Sequence, residues 1–206
     1  MMTDKQIITT PISNEDISNL KIGDVIYLTG MLATCRDDGH RRVVESNRFP
    51  DFDLKGMSIL HAGPIVKTIP GAGYEMISIG PTTSRRMEAY ESEFIEKTGV
   101  KIVIGKGGMG AKTAAACKAF NALHCVFPGG CAVTAATEVE EIVGLEWADF
   151  GMPEAFWIMR VKNFGPLIVS IDTKGHNLFE LNKIEFEKKK ELALKNLLPH
   201  VHYSHG

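Results

Sequence analysis

One short stretch of the 206-residue chain, Gly80-Pro81-Thr82-Thr83-Ser84-Arg85-Arg86-Met87, sets three hydroxyls beside two guanidinium groups. It follows an apolar segment at 76–80 that reads as a strand and opens a helix expected at 84–98. Thr83 or Ser84 is then a natural N-cap. The N–H groups of a first helical turn favour an anion. Arg86 in that turn adds a fork suited to a carboxylate or phosphate. A capped helix with solvated arginines is the plainer use of the same residues. A second loop, Gly105-Lys106-Gly107-Gly108-Met109-Gly110, presents Lys106 between a strand at 101–105 and a helix at 111–122. Its glycines fit GxGxxG, but no acidic residue to hold a ribose follows about 20 residues on, and Ala111 spoils a Walker A match by one position. A third cluster, Thr34-Cys35-Arg36-Asp37-Asp38-Gly39-His40-Arg41-Arg42, puts Arg36 where a strand at 24–30 gives way to a short helix at 36–47. If these loops converge, Arg36, Thr82, Thr83, Arg86 and Lys106 make a compact site for a small dicarboxylate. No acid, base or metal site is obvious beside them.

The elements that must position these residues alternate. A strand at 57–66 breaks at Gly63-Pro64, 68–73 reads as a loop, and a strand and turn follow at 123–130. A helix at 132–144, two tightly joined antiparallel strands at 155–164 and 166–175, and a charged helix at about 183–198 complete the pattern. Strand–helix alternation at this spacing predicts an α/β fold with a mixed sheet, in a single domain over 1–206. In open α/β sheets ligands bind beyond the carboxyl ends of strands, where all three polar clusters fall.

Composition narrows the partners. Lys+Arg is 23 and Asp+Glu 25, so the formal charge is −2 and any useful cation acts locally. Coating nucleic acid or an anionic membrane needs a basic face instead. No signal peptide or membrane-length apolar run is visible, and reduced thiols in the cytoplasm are the expectation. Cys35, Cys117, Cys125 and Cys131 are scattered, without the spacing of a zinc or iron–sulfur site. Trp147 and Trp157 read as core or interface. His200, His202 and His205 could chelate a metal, though nothing in a chain end fixes their geometry.

The segment GPTTSRRM (80–87) resembles the class I fumarase and L-tartrate dehydratase family, in its beta subunit or the equivalent C-terminal domain. GDVIYLTGMLATCRDDGHRR (23–42), HAGPIV (61–66), GKGG (105–108) and EWADFGMPEAFWIMRVKNFGPLIVSIDTKGH (146–176) agree in order, over roughly residues 20–180. The resemblance implies a swivelling β/β/α domain. It also implies a partner alpha subunit whose cysteines hold a [4Fe–4S] cluster with one open iron acting as a Lewis acid. By the same resemblance Arg36 and Arg86 hold substrate carboxylates, and Lys106 contacts one or stabilises developing charge. Thr82 takes the C3 proton, with Thr83 assisting by a hydrogen bond or cap. Cys35 is a packing residue near the site, and Arg85 is a cation added beside the motif. Reversible hydration of fumarate to malate, in an alpha–beta heterodimer that itself pairs, is the activity expected first. L-tartrate dehydratase is the alternative, since the shared residues read shared carboxylates. A non-catalytic anion-binding or assembly module and a nucleotide-dependent enzyme are the readings from other classes.

Overall fold

The computed structural model describes residues 5–71 and 73–198. The chain runs β1 (Gln6–Thr9), α1 (Asn14–Ile17), β2 (Val25–Thr34), α2 (Asp37–Ser46), β3 (Ser58–Leu60), β4 (Ile65–Ile69) and β5 (Gly73–Ser78). A 3₁₀ turn (Ser84–Ala89), α3 (Glu91–Thr98), β6 (Ile102–Gly105), α4 (Ala111–Phe120) and β7 (Leu123–Val126) follow. Then come α5 (Ala132–Thr137), β8 (Val139–Glu146), a second 3₁₀ turn (Ala148–Phe150), β9 (Phe156–Ile171) and α6 (Leu178–Leu197).

The fold is mixed α/β, built on a seven-stranded mixed sheet in the order β1-β2-β3-β6-β7-β9-β8. β2, β3, β6 and β7 are parallel neighbours. β9 is antiparallel to both β7 (Val126↔Ile168) and β2 (Leu32↔Met159), so five strands close into a ring. Side chains alternate between two apolar clusters. Ile102 and Ile104 join Leu32, Leu123 and Phe164 in one, while Val103 joins Ile59, Phe94 and Cys117 in the other. Both faces of β6 are therefore covered, and all four of its residues are buried, as a parallel strand between two apolar layers requires.

Several boundaries differ from the pattern reading, each for a local reason. The two strands expected at 155–164 and 166–175 are one strand, β9. Asn163 and Gly165 adopt φ of 52° and 154°, and the pairing with β2 shifts register between Ile26 and Leu28, opposite Gly165-Pro166, and again between Leu28 and Gly30. The Gly165-Pro166 signal marks a bulge inside a strand rather than a turn. The helix expected over 132–144 stops at Thr137, and β8 follows. Val139, Ile142 and Leu145 all pack on the core, because irregular pairing at 139/141 and 142/144 adds residues to the strand. Spacing by three then imitates a helix. The strand expected at 57–66 ends at Leu60, and β4 and β5 form a separate hairpin that takes in most of the expected loop at 68–73. The helix expected at 84–98 is a 3₁₀ turn followed by α3, with Gly99 (φ 68°) as its left-handed C-cap. α6 begins before 183 because the Asn177 side chain accepts from the N–H groups of Phe179 and Glu180. His200, His202 and His205 lie outside the described residues. No described helix is long and apolar enough to cross a membrane.

Candidate functional site

Three adjacent parallel strands end at one edge of the sheet. Arg36 follows β2, His61 follows β3, and Lys106 follows β6. The Thr82–Thr83 segment is laid across the last two ends by backbone bonds. Thr82 N–H donates to the His61 carbonyl (2.6 Å), and Lys106 N–H donates to the Thr82 carbonyl (2.9 Å). Ser84 N–H donates back to the Lys106 carbonyl (3.0 Å), so Thr83 and Lys106 pair as in a parallel ladder.

Arg86 and Arg36 reach the same edge through acidic partners. Arg86 donates from Nε (3.1 Å) and Nη2 (2.7 Å) to Asp37, the residue after Arg36. Arg36 Nη2 pairs with Glu154 (2.9 Å) and Nη1 donates to the Pro153 carbonyl (3.2 Å). Arg36 Nε is buried and has no partner among the described residues. Gly63 makes this placement possible: a Cβ there would collide with Arg36 Nη1 and lie 2.8 Å from the Pro153 carbonyl. The Arg86 hydrogen bonds hold the Asp37 carboxyl below its usual range, while burial pushes Glu154 up. The five expected residues thus lie on adjoining segments at one sheet edge, with Thr83, Arg86 and Lys106 exposed and the Lys106 stem beside Gly129.

Some expected details change. Thr83 occupies the N-cap position, but its side chain makes no cap hydrogen bond. The Ser84 N–H is bonded to Lys106 and is not available to an anion. Arg85 turns toward Gly110, where its Nη1 would lie 2.8 Å from an added Cβ. The N-terminus of α4 is filled by Glu88, which accepts from the N–H groups of Gly110 (2.6 Å) and Lys112 (3.2 Å) and from the Thr113 hydroxyl (2.8 Å). A nucleotide phosphate would need those same amides.

Beneath the exposed groups lies a network that pattern reading missed. Glu91 Oε2 sits 3.0 Å from His61 Nε2 and 3.3 Å from His40 Nε2, and all three side chains are fully buried. His61 Nδ1 lies 3.0 Å from the buried Ser84 hydroxyl. His40 Nδ1 lies 2.8 Å from the Arg36 carbonyl, which can only accept, so this nitrogen carries a proton. Burial works against charge on His40, but Cys35 and Glu91 outweigh it and hold the imidazolium well above its ordinary range. Burial also opposes the Glu91 carboxylate, yet the two histidines keep it well below the usual range. Burial lowers His61, so it stays neutral. One signal pointed to this network: Glu91 shares the helical stripe of Met87, Phe94 and Ile95, where a solvated carboxylate does not belong.

Cys35, Cys117 and Cys125 are buried and Cys131 is partly buried. Burial pushes the Cys117 and Cys125 thiols up. Among the described residues the one metal-capable trio is His40, His61 and Glu91, which contains no cysteine.

Residues 3–182 match the family model described as Fumarase C-terminus. The chain is 56% identical over 199 residues to L(+)-tartrate dehydratase subunit beta of Escherichia coli, covering 97% of this chain and 98% of that protein. A putative L(+)-tartrate dehydratase subunit beta of Methanocaldococcus jannaschii is 40% identical over 88% of this chain and 95% of its own length. A putative class I fumarate hydratase of Geobacillus stearothermophilus is 36% identical over 90% of this chain, which spans 36% of that protein.

Proposed function

This chain belongs to the fumarase C-terminus family, and from that premise we propose that it is the beta subunit of an L-tartrate dehydratase. In this reading it works with an alpha subunit to remove water from tartrate. The observation that carries tartrate over fumarate is end-to-end similarity: 56% identity across 98% of a protein named for tartrate. The order of preference expected from the motifs is reversed on that ground. Fumarate hydration is the second reading, supported by the 36% identical relative.

The chemistry assigned to this chain uses its own side chains. Arg36 and Arg86 clamp the two substrate carboxylates by charge-assisted forks. Each must share or exchange its present partner, Glu154 or Asp37. Lys106 faces the negative charge that builds as a proton leaves carbon. Thr82 accepts that proton as its alkoxide, and Thr83 assists; the hydroxyl leaves the neighbouring carbon with its electron pair and takes a proton assigned to the partner subunit, completing the water. A threonine hydroxyl is a weak base in water, so it needs cationic neighbours and a dry site. Thr83, Arg86 and Lys106 are exposed here, so the partner subunit is assigned the closing surface. The [4Fe–4S] cluster is assigned to that partner too, because the cysteines of this chain do not fit it.

Reconstitution of the purified alpha and beta chains tests the proposal. L-tartrate is expected to be dehydrated with higher kcat/KM than malate or fumarate is interconverted; the reverse order promotes the second reading. Arg36→Met and Arg86→Met are each expected to raise KM by about tenfold or more, the scale of a lost charge-assisted hydrogen bond. Unchanged KM in both removes the arginines from the carboxylate role. A complex that binds tartrate but turns over neither substrate leaves an anion-binding module.

A further inference from the structure

We propose that the buried His40–Glu91–His61–Ser84 chain is a positioning device that sets the two halves of the site against each other from below. One end governs substrate binding and the other governs proton abstraction. The inference rests on the roles given above to Arg36 and Thr82.

The connection has two hydrogen-bonded ends and an ionic centre, where the two Nε2 atoms lie at ion-pair distance from Glu91 without hydrogen-bond geometry. At one end the His40 Nδ1 proton is held on the Arg36 carbonyl (2.8 Å), the residue whose side chain is assigned to a carboxylate. His40 Nε2 then faces Glu91 Oε2 (3.3 Å), which also faces His61 Nε2 (3.0 Å). At the other end His61 Nδ1 meets the Ser84 hydroxyl (3.0 Å), and the His61 carbonyl holds the Thr82 N–H (2.6 Å). With the proton of neutral His61 on Nε2, the side that faces the Glu91 carboxylate, Nδ1 accepts from the Ser84 hydroxyl. His40, with both nitrogens facing acceptors, is an imidazolium. The cluster is then one cation, one anion and one neutral ring, which is how buried ionisable groups persist without net charge.

The surroundings fit this use. The groups in contact with the trio include Cys35 after the end of β2, whose sulfur lies 3.4 Å from His40 Nδ1, and Ser84 from the 3₁₀ turn, while the buried Cys117 and His124 bear on it through space. Phe94 of α3 covers His40, with ring centroids 4.3 Å apart. Asp37 bears on His61 through space. The strand beside it makes room: a Cβ on Gly105 would strike the Ser84 hydroxyl and lie 3.0 Å from His61 Nδ1. A bound divalent ion is the other use of such a trio, whose ligand atoms lie within 4.8 Å of one another. A structural zinc takes four ligands, and a three-ligand site keeps an open position for water or substrate. Here all three side chains are sealed from solvent, so ion pairing is the better account.

The test uses the assembled alpha–beta complex with L-tartrate and fumarate as substrates. Ser84→Ala, which touches only the Thr82 end, is expected to lower kcat severalfold with little change in KM. His40→Asn, which touches the Arg36 end, is expected mainly to raise KM. Glu91→Gln is expected to do both, by about ten- to a hundredfold in kcat/KM, the scale of an ångström-sized misplacement, and Glu91→Asp should recover part of it. A device that only holds the fold together would lower Tm in all of them without splitting kcat from KM. Assembled Ser84→Ala and Glu91→Gln complexes with wild-type kcat and KM overturn the proposal. Variants that do not assemble are bypassed by ¹⁵N-histidine NMR of the wild-type complex. His40 protonated on both nitrogens at pH 7.5 supports the device, and neutral His40 overturns it. Stoichiometric zinc that is lost in Glu91→Gln also overturns it. A wild-type complex inactive on both substrates defeats the functional reading instead, and the NMR result still decides the network.

Discussion

A Thr82→Ala beta subunit, reconstituted with its partner, is expected to lose about two to four orders of magnitude in kcat, the usual contribution of a positioned base. KM for L-tartrate should stay within a few-fold. The expectation is sharp because the backbone of Thr82 is held independently of its side chain. Its N–H is fixed on His61 and its carbonyl accepts from Lys106. Removing the hydroxyl therefore leaves the loop in place, and the loss reads chemistry rather than collapse. Thr83 is exposed, and its side chain makes no cap hydrogen bond. Thr83→Ala should cost much less, and Thr82→Ser should keep a measurable share of the rate. Near-full turnover by Thr82→Ala would move the base to another residue.

Gly105→Ala is expected to destabilise the sheet at the site itself. The position is buried at the end of β6, and its missing side chain is filled by Ser84 and His61. An added methyl must displace a hydrogen-bonded pair that has nowhere to go. Overpacking of this kind costs about 1–3 kcal/mol, and in a chain of this size each kcal/mol lowers Tm by about 2–4 °C. Ser84→Ala should make room for the methyl, so the double variant is expected to be more stable than the sum of the two losses. Thermal melts of the four proteins check this. A wild-type Tm in Gly105→Ala, or strictly additive losses in the double variant, would mean the space is not contested.

The five residues assigned to substrate were readable because each follows a strand-like run and breaks it with an unusual cation or hydroxyl. Arg36, Thr82, Thr83, Arg86 and Lys106 do meet at one sheet edge, linked through Asp37 and the Lys106 backbone. Their partners were not readable. Glu154 and His61 sit in segments that look like a loop and an apolar strand, and they matter only through residues far away in the chain. Glu91 lies in a run with Glu93 and Glu96 that reads as a solvated helix face. Its place on the apolar stripe of Met87, Phe94 and Ile95 speaks against that reading, but the two histidines that pair with it come from separate segments, and no local pattern names them. Element errors had a similar cause. Bulged pairing gave β8 the spacing of a helix, and the Gly-Pro pair in β9 is absorbed by long-range pairing with β2. Local propensity is overruled wherever a distant strand supplies the partner.

The placement of β9 has a kinetic consequence. It is the last strand among the described residues, yet it closes the ring by pairing with β2, more than a hundred residues earlier, as well as with β7 and β8. Closure must therefore wait for residues 156–171 to be made. Until then β2 and β7 each present a bare, apolar edge. Pairings of such separation form slowly and leave the unfinished chain prone to association. A chain ending at residue 155 is expected to be recovered as aggregate, and supplying the missing strand as a separate peptide during refolding should raise the soluble yield. A soluble, monomeric truncation would show that the open sheet protects its own edges. Folding of this subunit is thus governed from its C-terminal side, by the same strand whose first residues follow Glu154, the partner of Arg36.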